Sequence, residues 1–258
     1  MNPLQRTLIE KAGHDNGFEH VLPGDAAHAA LASARHPAQV SVAVGAQGYQ
    51  AQLTQGPAPL GVELARSFPP TSSDATLFSL PSEAALAQWL RRAAALAQAL
   101  PNQVVTAFEQ QVQAELKTMP QATANNTEVL RMVRQRVGQQ TYRQALLDYW
   151  GGACAVTGVS TPQALRASHA KPWADCDTDA ERLDVYNGFL LSANLDALFD
   201  SFMISFTDQG ALVVAEQISS KDRQLLGVVP GMSLRWLSVN HLPYLRAHRD
   251  RFAGFSKG

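Results

Sequence analysis

The chain has 258 residues, 46% of them hydrophobic and 17% charged, with 21 Lys and Arg against 22 Asp and Glu. That length can bury the core of one large or two modest domains. Two cysteines and a formal charge of −1 exclude disulfide-stapled, collagen-like and disordered classes, and, taken alone, the charge balance argues against nucleic acid.

No apolar stretch approaches the ~18 residues of a membrane span. The first twenty residues carry Glu10, Lys11, His14, Asp15 and Glu19, so no signal-peptide core is expected and the cytoplasm is the expected location. Residues 40–68 are extended in character, and the stretch QVSVAVGAQGYQAQL alternates around a glycine-containing turn, as a half-buried hairpin does. Ser82 suits the N-cap of a helix that carries Leu86, Leu90 and Leu96 toward Pro101. Val105, Phe108, Val112 and Leu116 recur at helical spacing over 102–118. Residues 119–127 read as a linker, and Thr127 as the cap of a helix ending at Gly151-Gly152. Strand-like segments over 153–192 lead to a short helix at 193–199. A hairpin follows around Asp208-Gln209-Gly210, then a helix near 242–253. The expected fold is α+β, with a mixed α/β domain at 1–120 and a second domain at 121–258.

Three polar positions stand out in 153–206: His169, the Asn187-Gly188 turn, and Asp196 with Asp200. The two aspartates are one helical turn apart, so their carboxylates share a face. With a nearby His they could hold a hard divalent cation through oxygen. Upstream, Arg131, Arg134, Arg136 and Arg143 fall within a stretch that contains no acidic residue.

The order SHAKPW, ERLD, NGFLLSANLDALFD, ISF resembles the HNH endonuclease family, in its branch without zinc-binding CxxC pairs, over residues 128–252. The resemblance implies a ββα-metal unit that hydrolyses phosphodiester bonds of double-stranded DNA with Mg²⁺ or Mn²⁺. His169 matches the general base, and Asn187 the catalytic-site Asn that orients it. Asp196 and Asp200 match metal ligands, Asp196 standing where the family has its last His. Ser168, or a water, would complete the shell where an acidic residue is often found. Arg131, Arg134 and Lys171 become candidate phosphate contacts, and Trp173 a core aromatic. Cys154 and Cys176 lie at no zinc spacing, so structural zinc is not expected.

In the first half, LASARHPAQVSV followed by ELARSFPP resembles the sulfur-binding domain of type IV restriction enzymes that attack phosphorothioate DNA. By that resemblance Arg35 and His36 form a charged loop, Phe68 and Pro69 wall an apolar pocket, and Ser72 is its small residue. Sulfur is larger and less hydrated than oxygen, so such a pocket gains by burying it. The expected protein is a modification-dependent restriction endonuclease, acting as a homodimer because one unit cuts one strand. The alternatives are an HNH nuclease that reads another modification or sequence, and a non-catalytic DNA-binding protein.

Overall fold

The computed structural model describes residues 1–121 and 126–255. It is α+β and falls into two compact units, Met1–Gln103 and Val104–Gly258. Among the described residues no helix is long and apolar enough to cross a membrane.

The first unit is built on a five-stranded antiparallel sheet of β1 (His20–Leu22), β2 (His28–Ala32), β3 (Gln39–Gly45), β4 (Gly48–Gln55) and β5 (Leu77–Leu80), in that order. The hairpin expected in QVSVAVGAQGYQAQL is β3–β4. On one face, Leu31 pairs Val40, Val42 pairs Ala51 and Ala51 pairs Phe78, and all five side chains are buried. Period-two alternation therefore carries one apolar row across four strands. Helices α1 (Pro3–Asp15) and α3 (Glu83–Ala99) pack in this unit, bringing Ile9, Trp89 and Leu90 into the core. The Ser82 hydroxyl accepts from Ala85 N, as its position implied. The opposite rows hold Ser41, Gln50, Gln52 and Ser79, with no Lys or Arg between them. A short helix, α2 (Leu60–Ala65), precedes the Phe68-Pro69-Pro70 loop.

In the second unit, α4 (Gln103–Lys117) buries Val104, Phe108 and Val112. The long α5 (Thr127–Trp150) follows. Its cap is Asn126, whose side chain accepts from Glu128 N and Val129 N, so Thr127 is the first helical residue and not the cap. Gly151 ends it in the left-handed conformation at φ 66°. Strand β6 (Leu165–His169) pairs antiparallel with β7 (Gly188–Ser192), and α7 (Ala193–Asp200) packs on both, giving a ββα unit. Between the strands lies α6 (Asp179–Arg182). The hairpin of β8 (Ile204–Phe206) and β9 (Leu212–Val214), then α8 (Ser220–Leu225), lead to α9 (Leu242–Phe255). His248 of α9 stacks on Phe199 at 3.8 Å and bonds the Phe199 carbonyl, which anchors α7.

Helix α5 comes close to the β6–β7 ribbon at Gly188. A Cβ there would lie 2.1 Å from both the Ser168 carbonyl oxygen and the Tyr142 hydroxyl. Neither obstacle is the free end of a flexible side chain. Gly188→Ala is expected to destabilise the unit by about 3 kcal/mol or more, read as a lowered urea midpoint; a change below about 1 kcal/mol would refute the close fit.

Candidate active site

His169 ends β6 and is half-buried. Its Nε2 lies 2.9 Å from the Arg182 carbonyl. A carbonyl only accepts, so Nε2 carries the proton and Nδ1 keeps the lone pair. The ring stacks on Tyr142 at 3.9 Å and meets Trp173 edge-on at 5.6 Å. Trp173 in turn fits against α5 at Gly138, where a Cβ would come 2.5 Å from the indole. Burial depresses the imidazole to about 4, with the Arg182 carbonyl opposing in part. The ring is neutral at physiological pH and holds one nitrogen ready to take a proton.

Asn187 is wholly buried and does not touch the imidazole. Its Oδ1 accepts from Lys171 N at 2.8 Å, and its Nδ2 donates to the Glu181 carbonyl at 3.1 Å. It ties the end of β6 to the segment whose next carbonyl, that of Arg182, holds His169. Asn187 is therefore a positioning residue. Its own carbonyl receives the Tyr142 hydroxyl at 3.0 Å.

Side chains alternate along β6, and this separates the expected metal ligands. Buried Ser168 donates its hydroxyl to Asp196 Oδ1 at 2.6 Å. Asp200, one turn on, lines a cavity of about 410 Å³ together with His169, Ala167, Trp173 and Arg251. Partial desolvation, then the Asp196 charge, raise the Asp200 carboxyl. Two coupled carboxylates with no cation between them favour a divalent ion, which would relieve their repulsion. Among the described residues no group of three or more His, Cys, Asp or Glu could hold a metal. Ser168, Asp196 and Asp200 supply oxygen donors, the type that a hard divalent ion takes. Cys154 and Cys176 are buried free thiols.

The expected phosphate contacts are engaged elsewhere. Arg134 bonds Glu109 at 2.7 Å and Asp179 at 2.5 Å, which raises its guanidinium further. Arg131 pairs with Glu128, Arg136 with Glu115, and Lys171 with Glu181 at 2.7 Å. Arg143 donates to the Leu165 and Pro162 carbonyls. The helix is basic in sequence but largely paired in space, with Glu109, Glu115 and Asp179 coming from other elements and Glu128 from the helix itself. Arg131 and Arg134 line a groove of about 620 Å³ with Trp173 and Arg182.

In the first unit, Arg35 is exposed and lies 3.7 Å from Glu19. His36 is 4% exposed, packs edge-on against Phe18, and meets the Gly17 carbonyl at 3.0 Å through Nε2. It is a core histidine and does not present its ring to a ligand. Phe68 is half-buried and Pro69 exposed. Ser72 Oγ accepts from Thr76 N and Leu77 N, which closes a turn. The functional neighbours missed from sequence are Tyr142, Arg182 and Arg251. Only the helical phase of Tyr142 among Val137, Leu146 and Tyr149 hinted at one of them.

Residues 154–207 match the model of a family described as HNH endonuclease, which covers β6, β7 and α7. The match supports nuclease activity on DNA. No curated protein matches the chain.

His169 and His248 are both held near 4 by burial. Between about 6.5 and 4 the unfolded chain binds these protons and the native chain does not. Stability is therefore fully present above 6.5 and falls as pH drops toward 4. Urea midpoints at pH 7 and pH 5 should differ in that sense, and the His169 ring resonances should titrate near 4. A His169 midpoint above 6 would contradict the buried neutral ring.

Proposed function

We propose that this chain is a metal-dependent DNA endonuclease directed by its first unit. The carrying observation is His169, with Nε2 fixed by the Arg182 carbonyl, sharing a cavity with the Asp200 carboxylate. His169 Nδ1 takes the proton of the water that attacks the scissile phosphate, and the carbonyl steadies the imidazolium so formed. A divalent ion, Mg²⁺ or Mn²⁺, held by Asp196 and Asp200 beside Ser168, would neutralise charge on the phosphate and the leaving 3′ oxygen. Asn187 and Tyr142 keep the base in place.

For the first unit we propose a reader of phosphorothioate DNA, on the resemblance of its ARH and SFPP segments. Exposed Arg35 would meet the backbone, and Phe68 with Pro69 would receive the sulfur. His36, buried beneath Arg35, would hold that loop, and Ser72 the turn after the pocket wall. The open sheet face, without Lys or Arg in its central rows, supports weak affinity for unmodified DNA. Two copies are needed to cut both strands.

Plasmid carrying phosphorothioate links is expected to be cut with Mg²⁺ or Mn²⁺ and spared with EDTA, while unmodified plasmid is largely spared. His169→Ala should abolish cutting and leave binding in a gel shift. Phe68→Ala should reduce the preference for modified DNA. Equal cutting of both plasmids would refute the sulfur reading alone. No cutting with any divalent ion would favour a DNA-binding protein, a reading to which the Ser168–Asp196 bond lends weight because it occupies a would-be ligand oxygen.

A further inference from the structure

We infer that Arg251, on the C-terminal helix α9, is the phosphate-binding arginine of the cavity that holds His169 and Asp200; this rests on the nuclease reading. Among the described residues lining that cavity, Arg251 is the one permanent cation. It stands with the base and the carboxylate on the same wall system, where a phosphodiester entering between them would bring its negative charge. Of the other candidate cations, Arg131 lines the neighbouring groove instead of this cavity, and three more are committed. Arg134 bridges two carboxylates, Arg143 clamps two carbonyls, and Lys171 is paired with Glu181 in a half-buried setting.

The surroundings of Arg251 suit exchange. Its acidic partner is Asp175, and both side chains are well exposed, at 45% and 38%. An exposed pair contributes little and is screened by salt, so a phosphate can displace it at small cost. The guanidinium also lies 5.3 Å from the centre of the Phe202 ring, which fixes its plane beside the cavity without using its donors. A planar fork in that position can give two parallel hydrogen bonds to non-bridging phosphate oxygens. The acidic residue in the cavity lining gives it a second role, because the Asp200 carboxylate repels the phosphodiester unless a cation stands opposite. Asp175 then acts as the placeholder that keeps Arg251 extended when DNA is absent.

The test uses the full chain and two substitutions that break the same ion pair from opposite ends. Arg251→Gln should lower single-turnover cutting about 100-fold, the size of a lost transition-state donor, while Asp175→Asn should stay within about threefold of wild type. Arg251→Lys should recover part of the loss, the single ammonium replacing the fork. The second readout needs no metal and no cutting. In EDTA, a fluorescent duplex should bind Arg251→Gln more weakly, and the slope of log K against log salt should fall by about 0.9, one phosphate contact. Asp175→Asn should keep the wild-type slope. Equal losses in the two variants would reduce Arg251 to half of a structural pair, and an unchanged salt slope in Arg251→Gln would overturn the proposal. If wild type cuts and His169→Ala does not, a fully active Arg251→Gln refutes the arginine and leaves the nuclease reading standing. If wild type cuts nothing, the nuclease reading fails and the salt slope alone judges the contact.

Discussion

The nuclease unit depends on one close approach, that of Tyr142 on the long helix to the backbone at Asn187-Gly188. The ribbon comes so near that residue 188 has no room for a Cβ between the Tyr142 hydroxyl and the Ser168 carbonyl. That approach brings three consequences together. The Tyr142 hydroxyl satisfies the Asn187 carbonyl, and its ring becomes the floor on which His169 stacks. The Asn187 side chain, turned away from solvent, spends its amide on the backbone of Lys171 and Glu181. The Arg182 carbonyl is thereby delivered to His169 Nε2. The base is held by backbone and by an aromatic face, without a carboxylate partner of its own.

This way of holding a histidine has an electrostatic price. A carboxylate partner would raise the imidazole strongly, whereas here burial pushes it down to about 4 and the Arg182 carbonyl opposes this only in part. The base is deprotonated over the whole physiological range, so it is always in the correct form, but it is intrinsically weak. A weak base is effective only where the charge of the reaction is stabilised nearby, and under the proposed reading that would fall to a cation held by the acidic pair on α7. The alternation of β6 assigns the two sides of that arrangement: Ser168 and Asp196 on one face, His169 and the Asp200 cavity on the other.

Much of this organisation was legible in the sequence, and the failures at the site share one cause. Local signals gave the β3–β4 hairpin, the Ser82 cap, the α9 helix and the β8–β9 hairpin, because turn residues and periodicity act over a few positions. The ββα unit was implied by the resemblance of the SHAKPW to LFD run to the HNH family, and β6, β7 and α7 form it. What stayed hidden was supplied by distant chain. Arg134 looks free within its helix, since Glu109 and Asp179 lie 25 and 45 positions away. His36 looks like a charged neighbour of Arg35, yet the chain entering β3 turns it into the core against Phe18. The Arg182 carbonyl could not be found at all, because a backbone acceptor leaves no mark in residue type. The strands β1, β2 and β5 were missed for a simpler reason: they are short, and the Ala-rich β2 offers little contrast between its faces.

The near-zero net charge then acquires a spatial meaning. The basic residues of α5 are balanced by carboxylates from α4, α6 and their own helix, so the long-range field that steers a protein onto any DNA is weak. Where such pairs are exposed they contribute little to folding, and so they cost little to exchange for a phosphate that arrives in the right geometry. Half-buried pairs such as Lys171–Glu181 are harder to open and serve the ββα unit instead. Neutrality built from exchangeable pairs differs from neutrality built from isolated charges, because it suppresses nonspecific encounter while leaving specific contacts available. Under the proposed nuclease reading that distinction has a use, since most of the DNA such a chain meets would be left intact.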